Sequence, residues 1–273
     1  MMDTRSAGTG ILERNEIGPE ADASEGVSTR PPRADVAVGP DAPIFAIMST
    51  ARAMRHLAPD PVPDELIRSL IEAATWAPTG SNAQGEGFVI VADRETIARL
   101  AVLWRRVVDD FRTIMDAAIP HRPQSTAAAR IRESVDYQYE HFAETPVVIV
   151  ACYDLRPQRA AARSSLRTAG ELVRRAGIGH GIALLRAWPT VARRSEAASI
   201  YPAVQNVLLA ARAEGLAACL TTWHLLAEAE FKAILDIPQQ VETFAVIPLG
   251  WPLRPFGRVR RRPVDEVIHR DRW

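Results

Sequence analysis

From Asp64 onward the apolar positions fall into blocks whose spacing alternates between helical and strand-like. Leu66, Ile67, Leu70, Ile71 and Ala74 recur at three- and four-residue intervals. They predict a helix opening at Pro63, with Asp64 and Glu65 at its positive end, and closed by Pro78 and Gly80. A shorter helix over Ile44–His56 precedes it, and Pro59, Pro61 and Pro63 keep the connection extended. The run Gly87–Asp93 is continuous enough in apolar residues to predict a buried strand. Helices follow over 94–118 and 125–143, separated by Pro120 and Pro123, and Pro146 opens a second strand, Val147–Tyr153. The Arg- and Ala-rich section 156–198 is expected to form helices covering a pocket. Next comes a helix over 200–214, with Ser199 as its cap, Pro202 in its first turn and Gly215 at its stop. A strand over 217–223, a helix near 227–236 and a strand over 243–250 complete the core; the tail from Leu253 is basic and mostly extended. This alternation predicts a sheet covered by helices on both faces.

Residues 1–43 show no apolar periodicity and are rich in Gly, Pro, Ser, Arg and acids. Such a segment cannot bury enough surface to offset its ordering entropy, so it is expected to be a disordered extension of a domain spanning 44–273. Charge narrows the picture further. Thirty-three basic residues balance 33 acidic ones, so no global field draws the chain to nucleic acid or membrane. The two cysteines, Cys152 and Cys219, each sit in an apolar stretch; with no apolar run long enough to span a bilayer and no leader-like N-terminus, a cytoplasmic protein is expected.

Four segments carry candidate chemistry. Arg52 and Arg55, within Ala51–Leu57, are three apart and would share one side of a helix; alone they read as a solvated surface pair. Ala77-Pro78-Thr79-Gly80-Ser81-Asn82-Ala83-Gln84 is a loop of small polar residues that can present amides to a ligand, or simply a helix-to-strand turn. The third is Tyr201-Pro202-Ala203-Val204-Gln205-Asn206, which leads through Gly215-Leu216 to a strand ending at Thr221 and Thr222; the fourth is the basic stretch Arg258–Arg262.

In this order and spacing the four segments resemble the nitroreductase family, from about Ile47 to the C-terminus. The resemblance implies an α+β, three-layer fold: a mixed β-sheet flanked by helices, in an intertwined homodimer with two FMN sites at the interface. Flavin binding needs cations or helix-end donors for the phosphate, hydrogen-bond partners at the pyrimidine edge, and a cation beside N1 and O2 for the charge of the reduced ring. By resemblance Arg52 meets the phosphate, as does Arg260 or Arg261, and Arg55 lies beside N1 and O2. Thr79, Asn82 and Gln84 line the ring and ribityl chain, and Thr221 and Thr222 lie near N5. Two departures stand out. Ala51 and Ala53 replace an Arg and a Ser common in the family, removing two polar contacts to the cofactor. Gly85-Glu86 replaces a usual Pro-Trp pair, which costs core packing and brings a carboxylate near the site.

Other motifs carry less. Gly177-Ile178-Gly179-His180-Gly181 follows a helical stretch and lacks nucleotide-loop spacing, the six histidines show no metal-ligand spacing, and Cys219 reads as a small core residue. The resemblance implies ping-pong transfer of hydride from NADH or NADPH, through flavin N5, to a small electron-poor substrate of nitroaromatic or quinone type, with no catalytic side chain required. A reduced deazaflavin is a further possible donor. The rivals are another flavin reaction on the same fold (dehalogenation or flavin breakdown) and flavin binding without turnover.

Overall fold

The computed structural model describes residues 41, 43–119, 125–154 and 165–273, so most of the 1–43 extension lies outside the described residues. Its centre is a four-stranded sheet in the order β1 (Glu86–Val91), β2 (Val147–Tyr153), β4 (Glu242–Gly250), β3 (Ala217–Ala218). Every residue of β2 is buried, as its unbroken apolar run requires of a strand covered on both faces. Period-two alternation splits it cleanly. Val147, Ile149, Ala151 and Tyr153 join one core with Leu70, Ala74, Ile200 and Val204, while Val148, Val150 and Cys152 join a second with Ile97, Trp104, Phe142 and Phe231. The expected helix–sheet–helix layering is therefore present.

All pairings among the described strands are antiparallel, so the mixed sheet implied by the resemblance is not found within these four strands. The reason lies in the connections. Two helices, α3 (Arg94–Ala118) and α4 (Thr126–His141), separate β1 from β2 and return the chain reversed, whereas a single crossover helix is the usual route to a parallel pair. The Asp93 carboxylate and the Ser125 hydroxyl cap these two helices by accepting from Thr96 N and Ala128 N. α2 (Asp64–Thr75) buries Ile67, Leu70 and Ala74, the expected face.

Three expectations need correction. The first helix, α1, covers Ile44–Thr50 and stops six residues short of His56. Its last hydroxyls turn back on the helix, Ser49 and Thr50 both donating to Ala46 O, and the backbone beyond finds partners elsewhere. Second, the helix expected over 200–214 is the last third of a longer one. α5 (Ser165–Ala176) meets α6 (Ile178–Ala213) at Gly177, and α6 carries both Pro189 and Pro202 in its interior. Pro202 is therefore not in a first turn and Ser199 is no cap; its hydroxyl donates to Ser195 O and accepts from Gly80 N. Burial of Ile200, Ala203, Val204, Val207 and Ala211 against α2 and the sheet offsets the backbone bonds the prolines remove. The Gly177–Gly181 motif is spent on this helix pair, since a Cβ on Gly181 would lie 2.8 Å from Val173 Cα. Third, the strand expected over 217–223 is only Ala217–Ala218 with an isolated bridge from Thr221 to Val246; Trp223–Ala227 turns into a 3-10 helix before α7 (Glu228–Ile234).

Candidate functional site

The segment Ala51–Leu57 is extended because neighbours on both sides take its backbone groups. Met54 N–H donates to Ala218 O at the end of β3 (3.1 Å). On the other side Leu57 bridges Pro252, Leu253 N–H donates to His56 O (3.0 Å), and Val259 N–H donates to Ser49 O (2.9 Å). The basic tail is thereby laid antiparallel against the start of the domain. A helix would have put Arg52 and Arg55 on one side; in extended backbone residues three apart point to opposite sides. Each arginine accordingly lines its own cleft.

Cleft one, about 310 Å³, is lined by Arg52, Arg212 and Arg261 together with Ala51, Ala53, Gln205 and Phe256. Cleft two, about 140 Å³, is lined by Arg55, Thr221 and Thr222 with Trp104, Gln138 and Trp223. Leu220 lines both, so the clefts adjoin along the chain between β3 and Trp223. Of the two tail arginines considered, Arg261 reaches cleft one and Arg260 does not.

Thr79, Asn82 and Gln84 are not brought to either cleft. Their loop is held at Ser199 by the Gly80 N–H, and Ser81, Asn82 and Gln84 adopt left-handed φ of 55°, 53° and 46°. Ser199 is six residues along α6 from Gln205 and thirteen from Arg212, roughly 9 and 20 Å at the helical rise. Glu86 is also away from both clefts, paired with Tyr153 at the start of β1. Next to it, a Cβ on Gly85 would sit 2.9 Å from the Tyr153 ring, which explains why a bulkier residue is excluded there.

Sequence reasoning missed three residues, and buried polar atoms reveal them. Arg212 Nη1 and Nη2, Gln138 Oε1 and Trp104 Nε1 have no hydrogen-bond partner among the described residues, and all belong to side chains lining the clefts. Buried polar groups are ordinarily satisfied, so such orphans mark where a ligand's polar atoms fit. Burial pulls the Arg212 pKa down, as expected for a guanidinium without a counterion. Cys219, which lines cleft one, is no nucleophile: burial raises its pKa, and Gln138 Nε2 donates to its sulfur (3.5 Å). The arrangement suits an elongated ligand with an anionic end among the cleft-one arginines and a polar ring edge at Arg55. FMN has this shape and charge, and the orphaned Arg212 donors fit its phosphate.

The chain is 28% identical over 228 residues, 80% of its length and 90% of the relative's, to a 5,6-dimethylbenzimidazole synthase of Rhodospirillum rubrum. Among solved structures it is similar to a nitroreductase with bound FMN from Desulfitobacterium hafniense (TM-score 0.53, 16% identity, 83% of this chain and 97% of that one). It is also similar to a BluB-like flavoprotein from Clostridium difficile (TM-score 0.53, 21% identity, 80% of this chain and 94% of that one). A family model described as the nitroreductase family matches residues 48–251, which include every cleft-lining residue except Phe256 and Arg261. On the match over three quarters of its length, and on the fold that carries the two clefts, this chain belongs to the nitroreductase family.

Proposed function

We propose that the protein is an FMN-dependent oxidoreductase that passes hydride from NADH or NADPH to a small electron-poor substrate of nitroaromatic or quinone type. The observation that carries this reading is the division of cations between adjoining clefts by one extended segment, Arg52 with Arg261 in the first and Arg55 in the second. Arg52 and Arg261 bind the phosphate by charge-assisted hydrogen bonds. Arg55 orients the pyrimidine edge, and Thr221 and Thr222 border the face where hydride arrives. The flavin, when bound, supplies the hydride chemistry itself. Thr79, Asn82 and Gln84 then serve the site of a second copy. The apolar surface left bare on one chain supports a homodimer: Phe45 of α1 is 82% exposed, and Ile178 and Trp188 of α6 are 72% and 67% exposed. No helix among the described residues is long and apolar enough to cross a membrane.

Purified protein is expected to be yellow, to sediment as a dimer, to release FMN rather than FAD on denaturation, and to oxidise NADH or NADPH when a quinone is supplied. A colourless protein that FMN cannot reconstitute overturns the reading.

The two arginines of the extended segment have separable effects. Arg52 on the phosphate interacts equally with oxidised and reduced cofactor. Arg52→Ala should therefore weaken FMN binding by about 1.5–3 kcal/mol and leave the flavin potential unchanged. Arg55 beside N1 and O2 favours the reduced anion. Arg55→Ala should lower the two-electron potential by some tens of millivolts, about 30 mV for each 1.4 kcal/mol of charge stabilisation lost. Spectroelectrochemical titration of each FMN-loaded variant reads this, and identical potentials in both variants and the parent reject the role of Arg55.

A second reading, flavin breakdown, is favoured by the similarity to a 5,6-dimethylbenzimidazole synthase. Aerobic incubation with reduced flavin separates the two: loss of flavin absorbance with appearance of a benzimidazole supports breakdown, and flavin surviving many turnovers supports transfer to a second substrate.

A further inference from the structure

Arg212 is the most deeply buried cation among the described residues, 2% exposed, and it projects from an otherwise apolar helix face. Two contacts fix its guanidinium. Nε donates to Thr50 Oγ1 (3.0 Å), and the carbon of the guanidinium lies 3.9 Å from the centroid of the Phe256 ring. Thr50 is itself fully engaged, since its hydroxyl donates to Ala46 O (2.8 Å). What remains is the far edge of the fork, Nη1 and Nη2, buried and without a partner among the described residues. No carboxylate is within ion-pair distance of it among those residues.

A guanidinium held by stacking and by one hydrogen bond, yet left unpaired on the edge that binds oxyanions best, is organised for an anion before that anion arrives. Its surroundings supply the access. Arg212 lines cleft one together with the short side chains of Ala51 and Ala53, and Arg52 and Arg261 share the same cleft. A phosphate monoester matches this set, because three non-bridging oxygens and a double negative charge can engage three separate guanidinium groups. A carboxylate would leave at least one of them unpaired.

We infer that Arg212 binds the terminal phosphate of the flavin in cleft one through Nη1 and Nη2, and thereby sets selectivity for the phosphorylated over the unphosphorylated cofactor. This rests on the FMN reading proposed above. Arg52 and Arg261 come from segments pinned to each other along the surface, whereas Arg212 comes from the core helix. The buried donor thus defines where the phosphate sits, and the exposed arginines close around it.

The test compares FMN with riboflavin, which differ only in the phosphate, by fluorescence titration of the full-length apoprotein. Arg212→Gln keeps length and some hydrogen-bonding capacity but removes the charge. It should weaken FMN binding about 10- to 100-fold, the effect expected for a charge-assisted hydrogen bond, and change riboflavin binding less than about threefold. Arg212→Lys keeps the charge without the fork. It should lose part of the FMN preference with riboflavin again unmoved, and it carries the test if the glutamine variant fails to fold. Parent protein that binds FMN, with variants that lose nothing or lose both ligands equally, overturns the role of Arg212 while leaving the FMN reading intact. Parent protein that binds neither flavin overturns the functional reading, and this inference with it.

Discussion

Replacing Lys232 by methionine is expected to cost about 3 kcal/mol of folding stability, near the lower end of the range for breaking a buried ion pair. Lys232 Nζ lies 2.8 Å from Glu228 Oε1 across one turn of α7, with side-chain exposures of 5% and 30%. The ammonium also donates to Gln239 O, and Thr243 Oγ1 donates to the same Glu228 oxygen at 2.7 Å. Removing the cation leaves a carboxylate facing the second core with one strong donor remaining, and the water that reaches Glu228 is what holds the loss to the lower end. Burial opposes the Glu228 charge, yet the hydrogen bonds of Lys232 and Thr243 outweigh it and keep its pKa below the ordinary value. The double variant Lys232→Met with Glu228→Gln should recover part of the loss, since neither charge is then stranded. Urea denaturation at pH 7 of the parent, both single variants and the double variant measures the coupling. Strict additivity would show that the pair contributes nothing beyond its separate parts.

Stability should also fall as pH drops from 6.5 towards 4. His224 and His56 are both held neutral, each with a pKa lowered from 6.5 to about 4. For His224 the cause is burial, partly opposed by the Glu228 charge and reinforced by Lys232. Its Nε2 lies 3.2 Å from Thr243 Oγ1, whose proton goes to Glu228, so Nε2 donates and Nδ1 is left bare and buried. A proton added at Nδ1 has no acceptor. For His56 the cause is again burial, then Arg254, with Glu133 opposing and His141 adding. Above pH 6.5 both imidazoles are neutral whether the chain is folded or not, and no stability is lost. Below it the unfolded chain binds protons that the folded chain refuses. Each histidine thus removes up to about 3 kcal/mol by the time pH 4 is reached. Loss from Glu228, whose pKa is depressed, begins only at lower pH, as its unfolded carboxyl protonates near 4.5. Denaturation midpoints at pH 7.5 and 5 should differ in the parent and draw together in His56→Gln with His224→Gln. A parent midpoint that does not move over this range contradicts the account.

The elements legible in the sequence are those whose signal is local. β2 occupies Val147–Tyr153 as expected because a seven-residue apolar run after a proline has little else to become. α3 starts where Asp93 can cap it, and Gly215, at φ 75°, stops α6. The failures share a cause of the opposite kind. Ala51–Leu57 carries no extended signature of its own; its conformation is imposed by Ala218 and by the tail around Pro252, partners more than 160 residues away. That one misreading assigned both arginines to a single surface when the fold sends them to two clefts. Arg212 escaped notice because a lone arginine in a helix reads as solvated. Its place on the stripe Val204, Leu208, Arg212, at four-residue steps along a buried face, was the available signal.

Lys232 is also the only lysine in all 273 residues, and it is 4% exposed. Amine-acylating reagents applied to the folded protein therefore find no accessible side-chain amine among the described residues. Labelling at this position waits for α7 to separate from β4, and its rate at low reagent reports the free energy of that opening. A lysine-specific protease is restricted in the same way. It leaves the native chain intact at Lys232 and cuts the unfolded one into residues 1–232 and 233–273, so a single band on a gel separates folded from opened molecules without any engineered probe.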